Sequence, residues 1–310
     1  MAITLTQLRS FLAVVEAGSV TTAAEELYVT QPSVSAAVSA LSKEVGVELT
    51  DRLGRSVEPS AAGKAFAPFA AHVIGLLDQG VRAAREAAGA AARELRIAAV
   101  TTAAEHIVPQ LVQEFSARRP ELTLTVDVGN REWVFREVAS HGVDVAIGGR
   151  PPADGQLSGQ AFLDNPILLI TAPGDPLARR RSVPVEELGG RPWLLREPGS
   201  GTRTMIEEFL ARHELTPRML TLGSNGAIKQ AARAGLGVSL QSRAATALEL
   251  KNGLLETISL REPLPKRQWF ALWPSTGPLR EPVPEFLEFV TSAAAKRLVE
   301  QSWVGPTVRA

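Results

Sequence analysis

A glycine-rich turn in the second half of the chain carries side chains suited to holding an anion. The stretch "LLREPGSGTRTMIEEFL", residues 194–210, is typical of a strand, a turn and a helix, with Ser200, Gly201, Thr202 and Arg203 at the helix start. Backbone N–H groups, two hydroxyls and a guanidinium would converge there, which suits a carboxylate, sulfate or phosphate. An ordinary helix N-cap with a charged first turn explains the same residues, and for one turn alone it is the better interpretation.

Two further turns of the same kind favour a ligand site. The stretch "AAVTTAAEH" puts Thr101 and Thr102 at a helix start, and "TLGSNGAIKQ" puts Ser224 and Asn225 at another. Ligands of open α/β folds bind in a crevice at the carboxyl ends of the strands, where such turns meet. Together the three turns predict a crevice for a small anion.

Catalytic patterns find little support. The four histidines, His72, His106, His141 and His213, are far apart along the chain, and neither H-E-x-x-H nor G-x-S-x-G occurs. Zero cysteine excludes disulfides, thiolate metal sites and cysteine nucleophiles. We therefore predict no enzyme activity and no cofactor or metal, only a small anionic effector.

A second pattern, near the N-terminus, is typical of DNA recognition. At helical spacing, the stretch "QPSVSAAVSALSKEV" turns an apolar stripe of Val34, Val38, Leu41 and Val45 to one side. Its other side is built from small residues around Ala36. With two short helices before it, this predicts a helix-turn-helix. A helix with a small exposed face can enter a major groove, where serine hydroxyls reach bases or phosphates and Gln31 can bond an adenine edge.

The cations of this region are few. Residues 1–90 carry 7 Lys and Arg against 9 Asp and Glu, whereas nucleic-acid-binding modules are usually basic. Arg52 and Arg55 lie on a predicted strand-turn-strand, "GVELTDRLGRSVEPS", and would meet the flanking backbone or minor groove. The alternative is a helical subdomain in an alanine-rich protein, since alanine is a good helix former. The helix pattern alone leaves the two interpretations even.

Ser60 begins a predicted alanine-rich helix that reaches about Gly89 and ends before the boundary stretch "GAAARE". Pro68 should kink or locally break it. A narrow apolar stripe runs along it: Phe66, Phe69, Val73, Leu76 and Leu77. The stripe favours pairing with a second copy of the helix, and packing on the chain's own C-terminal domain is the alternative.

From Glu94 onward, strands and helices alternate, which predicts α/β units with a parallel sheet and helices on both faces. Two similar sets with a late return strand, "QWFALWP", suggest two lobes around a cleft. Helices are expected at about 103–118, 131–140, 203–213, 225–234 and 284–300. At 310 residues the chain has room for two or three domains.

The order of the residues along the chain also resembles that of a known protein family. The run "LRSFLAVVEAGSVTTAAEELYVTQPSVSAAVSALSKEVGVELTDRLGRSVEPSAAG" closely resembles the N-terminal region of LysR-type transcriptional regulators, and the strand-helix pattern extends the resemblance over essentially the whole chain. It implies a winged helix-turn-helix domain at 1–59, a dimerising linker helix at 60–92 and an effector-binding domain at 93–310. That last domain is similar to periplasmic binding proteins, with lobe I at about 93–163 and 267–303 and lobe II at about 164–266.

The resemblance, taken together with the residue patterns above, gives two sets of candidate site residues. The DNA-binding set is Thr30, Gln31, Pro32, Ser33, Ser35, Ala36, Arg52 and Arg55. The effector-binding set is Thr101, Thr102, Asn130, Ser200, Gly201, Thr202, Arg203 and Asn225. Two departures matter: the family often has Arg or His at Ala36 and usually has a large apolar residue at Thr50. The segments "REPGSGTR" and "SNGAIKQAARAGLGVSL" look most like the branch that regulates carbon dioxide fixation and sulfur assimilation genes, which suggests an anionic metabolite.

We therefore predict a homodimeric or homotetrameric, ligand-responsive transcriptional regulator that binds two-fold-related double-stranded DNA. We expect it in the cytoplasm, because "MAITLTQLRSF" is not a signal peptide and no apolar run approaches the ~20 residues of a membrane span. The rival prediction is a cytoplasmic small-anion-binding protein or enzyme with a helical N-terminal extension. It would bind an anion but would show no salt-dependent DNA affinity.

Overall fold

The computed structural model describes residues 2–53, 56–90 and 93–304. The chain forms two compact units: residues 1–91 with 139–142, and residues 92–138 with 143–310. The first is mainly helical and the second is α/β, so the predicted fold class is confirmed.

The first unit contains four helices and a hairpin. They are α1 Leu5–Ala17, α2 Val20–Glu26, α3 Gln31–Val45, β1 Thr50–Leu53, β2 Ser56–Pro59 and α4 Ala61–Ala87. Local signals set these boundaries: Thr4 caps α1 in a capping box with Gln7, Ser19 caps α2, and Gly46 ends α3 in the left-handed conformation. Strands β1 and β2 are antiparallel, with Thr50 opposite Pro59.

One small core holds the first three helices together. Val34, Val38 and Leu41 of α3 are buried against α1 and α2, as the apolar stripe predicted. Ala23 and Ala24 of α2 are buried as well, and their small side chains let the helices approach closely. The exposed side of α3 is therefore the one with small residues.

Helix α4 differs from its prediction in two ways. It runs through Pro68 without interruption, so of the kink or local break expected there, the break does not occur. The predicted stripe also divides between two sides, because the Phe66 ring packs 5.9 Å from the Phe11 ring in the core, whereas Phe69 is 72% exposed. Val73, Leu77 and Val81 continue the exposed side.

The second unit contains two groups of strands. In chain order, its first eight elements are β3 Glu94–Val100, α5 Thr101–His106, α6 Val108–Arg118, β4 Thr123–Gly129, α7 Arg131–Ala139, β5 Val145–Gly148, β6 Leu157–Asn165 and β7 Ile167–Thr171. The elements that follow are a 3-10 helix Val185–Leu188, β8 Trp193–Leu195, α8 Gly201–Arg212, β9 Met219–Thr221, α9 Asn225–Arg233, β10 Ser239–Ser242, α10 Arg243–Lys251, β11 Glu256–Thr257, β12 Arg267–Pro274, α11 Pro282–Thr291 and α12 Ala293–Val304.

The sheets are mixed rather than parallel. In the five-stranded sheet β4-β3-β5-β12-β6, β3 is parallel to β4 and β5, but the return strand β12 is antiparallel to β5 and β6. Strands β10-β7-β11 are antiparallel, and β8 is parallel to β9. The parallel prediction therefore holds for β4-β3-β5 of the first sheet and for β8-β9. The chain passes between the two groups at Pro166 and again just before Arg267.

Further elements also depart from the prediction. The helix expected at 103–118 is two helices, interrupted at Ile107, where ψ is −53 and φ is −128. The helix expected at 284–300 is also divided, because Ser292 is extended. Strand β6 and helix α10 were not predicted, and β6 escapes detection because its "LSGQAFLDN" lacks regular alternation.

Candidate functional site

The exposed face of α3 is the candidate DNA-reading surface. Five of its predicted residues are exposed and Ser35 is half-buried; the exposed five are Thr30, Gln31, Pro32, Ser33 and Ala36. Thr30 is the N-cap, but its Oγ1 lies 2.8 Å from Oγ of Ser33 and bonds no helix amide. The two hydroxyls thus form a small polar pair at the start of the helix.

Of the two predicted wing cations, Arg52 and Arg55, the structure describes only the backbone of Arg52. Arg52 lies on β1, with its backbone opposite Val57. Its side chain, and Arg55 altogether, lie outside the described residues. On α3 itself, Lys43 in the last turn is exposed and is a basic residue of that surface.

The candidate effector site is a cavity of about 40 Å³ in the second unit. Six of the eight predicted effector residues line it: Thr101, Thr102, Asn130, Ser200, Gly201 and Thr202. They come from the starts of α5, α7 and α8, which follow β3, β4 and β8. Two of the three turns predicted from the residue pattern, at 101–102 and 200–202, therefore meet at one place, together with the turn at Asn130 that the resemblance implied.

Asn225 lies behind the cavity wall. Its side chain is buried; its Nδ2 donates to Oγ1 of Thr102 at 2.9 Å, and its Oδ1 accepts from Nη1 of Arg196 at 2.6 Å. Asn225 thus orients two residues that line the cavity and is not itself part of the lining.

Arg203 does not line the cavity either, which departs from the prediction. Its Nε donates to Glu207 at 2.8 Å, and its Nη1 donates to the carbonyl of Arg196 and to Oγ1 of Thr221, both at 3.2 Å. These partners hold the guanidinium toward β9. The first turn of α8 therefore supplies hydroxyls to the cavity and no cation from Arg203.

Three arginines that the sequence interpretation missed line the cavity: Arg131, Arg196 and Arg267. Arg196 is neutralised locally, because its Nε and Nη2 donate to the carboxylate of Glu197 at 2.7 and 2.9 Å. Arg131 starts α7, and Arg267 starts the return strand β12. No sequence motif marks Arg267, which is 66 residues from its partner Gly201.

Arg131 and Arg267 differ from Arg196 in having no ion pair within the described ranges. Nη1 of Arg267 donates to the carbonyl of Gly201 at 3.1 Å, and Nη2 of Arg131 donates to the carbonyl of Arg150 at 3.0 Å. Burial lowers the pKa of the Arg267 guanidinium, and the neighbouring charge of Arg131 lowers it further. Burial also lowers the pKa of Arg131, which Glu208 partly offsets. Two partly desolvated positive charges therefore lie near each other, and Glu208 offsets part of the effect on both without forming an ion pair with either among the described residues.

A wider groove of about 1060 Å³ adjoins the cavity. Both share Arg131, Gly201 and Arg267 as lining residues. The guanidinium pair thus lies where the groove and the cavity meet. Hydroxyl groups and two guanidiniums in one lining are suited to binding an anion with charge-assisted hydrogen bonds.

Two of the histidines that are far apart along the chain lie close together in the structure. Within the first unit, the rings of His72 and His141 lie with centroids 4.6 Å apart, although the residues are distant along the chain. Burial, then His72 and Arg82, lower the pKa of His141 to about 4. Among the residues described, no group of three or more His, Cys, Asp or Glu could hold a metal, and no helix is long and apolar enough to cross a membrane.

Comparison with known proteins adds independent observations. Residues 5–64 match the family of bacterial regulatory helix-turn-helix proteins, lysR family, and residues 88–295 match the LysR substrate binding domain. The HTH-type transcriptional activator CmpR of Synechocystis sp. is 33% identical over 93% of this chain and 94% of its own length. The RuBisCO operon transcriptional regulator of Allochromatium vinosum is 35% identical over 96% and 98%.

Solved structures agree. The Synechocystis CcmR regulatory domain in complex with 2-PG has a TM-score of 0.62 and 32% identity, covering 66% of this chain and 97% of that one. A Corynebacterium glutamicum OxyR mutant has a TM-score of 0.59 and 25% identity, covering 97% of this chain and 96% of that one.

A helix-turn-helix unit followed by an α/β unit with a polar cavity defines a DNA-binding transcriptional regulator that responds to a ligand. The sequence matches cover both units. The chain belongs to the LysR family of transcriptional regulators.

Proposed function

We propose that the cavity of the second unit binds a small anionic effector and that no other cofactor is needed. The carrying observation is the pair Arg131 and Arg267, two cavity-lining guanidiniums without an ion-pair partner in the part of the chain that is described. A bound anion would supply the missing negative charge. The similar CcmR regulatory domain is a complex with 2-PG, which makes 2-PG a suitable first probe.

The hydroxyls have a separate role in this proposal. Those of Thr101, Thr102, Ser200 and Thr202 border the same cavity and can donate to anion oxygens. Asn130 can donate from its amide, and Gly201 leaves room for the side chains of Arg131 and Arg267, which a Cβ at this position would meet at 2.9 and 3.2 Å. Asn225 acts through Thr102 and Arg196, and Arg203 has no direct part.

For DNA, we propose that α3 enters the major groove with Thr30, Gln31, Pro32, Ser33, Ser35 and Ala36 facing the bases and the groove walls. Arg52 and Arg55 would contact the flanking backbone or minor groove. The support is the small, exposed face of α3 together with the family match over residues 5–64. The boundaries 1–59, 60–92 and 93–310 remain our proposal for the three domains.

We further propose a homodimer or homotetramer that acts in the cytoplasm and regulates transcription without catalysing a reaction. The exposed apolar stripe on α4 consists of Phe69, Val73, Leu77 and Val81, which differs from the predicted set. This stripe supports helix pairing. The relatives are described as transcriptional regulators, which supports regulation rather than catalysis. Effector binding would shift the population of two arrangements of the DNA-reading units only by its difference in affinity for them.

A mobility-shift experiment tests the proposal. Duplexes selected by the protein from a random-sequence pool are titrated at two salt concentrations, with and without 2-PG or inorganic phosphate. We expect affinity to fall as salt rises and the shift pattern to change with an anion. Anion binding without any DNA affinity would support the rival small-anion-binding protein, and DNA binding that no anion changes would contradict the proposed effector.

A further inference from the structure

The side chain of Tyr28 is almost fully exposed, so it adds little to the stability of the first unit. It is the only tyrosine of the chain, its side chain is 96% exposed, and its φ is +55. The left-handed conformation is unfavourable for a residue with a Cβ, and a fully exposed ring gains no burial. Packing within the first unit therefore does not explain this side chain.

The backbone at Tyr28 explains the conformation but not the residue type. The N–H of Tyr28 donates to the carbonyl of Glu25 at 3.1 Å, and the N–H of Val29 donates to the carbonyl of Ala24 at 3.0 Å. This pair of bonds is the Schellman ending of α2, and glycine is the residue that usually occupies its left-handed position. A glycine at 28 would preserve both bonds.

The position of Tyr28 lies at the edge of the DNA-reading surface. It lies in the turn between α2 and α3, two residues before the N-cap Thr30. In a docked helix-turn-helix the second helix enters the major groove by its N-terminal residues while the first crosses the backbone. The turn that joins them therefore lies at the groove wall, where the phosphates are.

The chemistry of the neighbourhood suits a neutral donor. Glu25 and Glu26 at the end of α2 are exposed, and none of the exposed residues from Glu25 to Ser33 is basic. A phenol can donate a hydrogen bond to a phosphate oxygen, and its ring can pack against the neighbouring sugar; tyrosine is one of the residues that contact DNA backbones.

We propose that Tyr28 is a DNA-backbone contact, with its hydroxyl donating to a phosphate on the wall of the major groove that α3 enters. The proposal rests on the geometry of the turn and on the proposed DNA-binding function of this unit. It adds a neutral contact at the N-terminal edge of a surface whose described basic residue on α3, Lys43, lies in the last turn of that helix.

Substitution separates this role from a structural one. Tyr28→Gly suits the left-handed backbone, so we expect a thermal midpoint equal to or above that of the full-length wild-type chain. Its Kd for a duplex selected from a random-sequence pool should rise about tenfold, and that of Tyr28→Phe about fivefold, since one hydrogen bond to a charged group is lost. The slope of log Kd against log salt should not change, because a phenol releases no counterions.

The matched control is Val47→Ala, an exposed apolar residue just beyond the other end of α3, and it should bind the duplex as the wild type does. Because Tyr28 is unique, its nitration by tetranitromethane provides a second measurement: the selected duplex should slow it, and an unrelated duplex at the same salt should not. A Kd within twofold of wild type for both Tyr28 variants, or nitration that the selected duplex leaves unchanged, would overturn the proposal. Absence of any selected duplex for the wild type would instead contradict DNA binding by the whole unit.

Discussion

Nδ2 of Asn225 donates to Oγ1 of Thr102 at 2.9 Å and joins α9 to the start of α5. These two helices of the second unit pack on different sheets. The same amide accepts from buried Arg196 through its Oδ1. One side chain thus holds a hydroxyl and a guanidinium of the cavity lining in place.

Asn225→Ala should lower the free energy of unfolding by about 2 kcal/mol, because a buried guanidinium loses an acceptor and a buried hydroxyl loses a donor. In a double-mutant cycle with Thr102→Val, the coupling should be about 1 kcal/mol. Urea unfolding measures both. Asn252→Ala, which removes an exposed amide, is the control and should change little. Additive effects of the Asn225 and Thr102 variants would refute the coupling.

Arg280 and Asp144 form a second buried relationship. Nη1 of Arg280 donates to both carboxylate oxygens at 2.9 and 2.8 Å, and the two side chains are 3% and 0% exposed. Arg280→Met should destabilise the protein by about 3 kcal/mol, since it leaves a carboxylate buried without its cation. Asp144→Leu combined with Arg280→Met should regain most of that loss. A single variant as stable as the wild type in urea would be inconsistent with this role.

His141 should make the protein sensitive to acid. Its pKa is lowered to about 4 in the folded chain, whereas an unfolded histidine titrates near the ordinary 6.5. Above pH 6.5 both states are neutral and histidine contributes no pH dependence. As pH falls from 6.5 to 4, only the unfolded state gains the proton, so stability decreases over that window.

His141→Asn, which tolerates the left-handed backbone at φ +56, should flatten this decline. Urea midpoints at intervals between pH 7 and pH 4 measure it. The same steepness in variant and wild type would mean that other groups cause the acid sensitivity.

The exposed stripe on α4 predicts an effect on assembly. Leu77→Glu places a charge in the stripe of Phe69, Val73 and Val81, so it should disfavour helix pairing and lower the molar mass seen by light scattering. Leu248→Glu, at a 69% exposed position of α10, is the control and should keep the wild-type mass. An unchanged mass for Leu77→Glu would argue against α4 as the pairing surface.

The sequence was most informative where a few neighbouring residues decide the structure. The helix-turn-helix follows from caps such as Thr4 and Ser19 and from one apolar stripe, all read within a few turns. The hydroxyl-bearing turns of the cavity are equally local. The continuous helix expected at 103–118 was wrong because the interruption at Ile107 leaves the amphipathic spacing on either side intact.

The cations of the cavity could not be predicted in the same way. Arg203 stands at the correct turn, but Glu207 one turn further along and Thr221 on another strand direct its guanidinium elsewhere. Arg267 reaches the cavity only because β12 returns to the first sheet beside β6. Such placement depends on tertiary topology, which no motif near Arg267 encodes.

Isothermal titration of inorganic phosphate and of 2-PG into the full-length protein tests the central claim, that an anion neutralises Arg131 and Arg267. Arg267→Gln should weaken binding at least about tenfold, since a charge-assisted hydrogen bond is lost, while its unfolding free energy stays equal to or above that of the wild type. The matched control is Arg203→Gln, in the first turn of α8, whose guanidinium does not line the cavity; this variant should bind as the wild type does. Equal loss in both variants, or binding that Arg267→Gln leaves unchanged, would contradict the account.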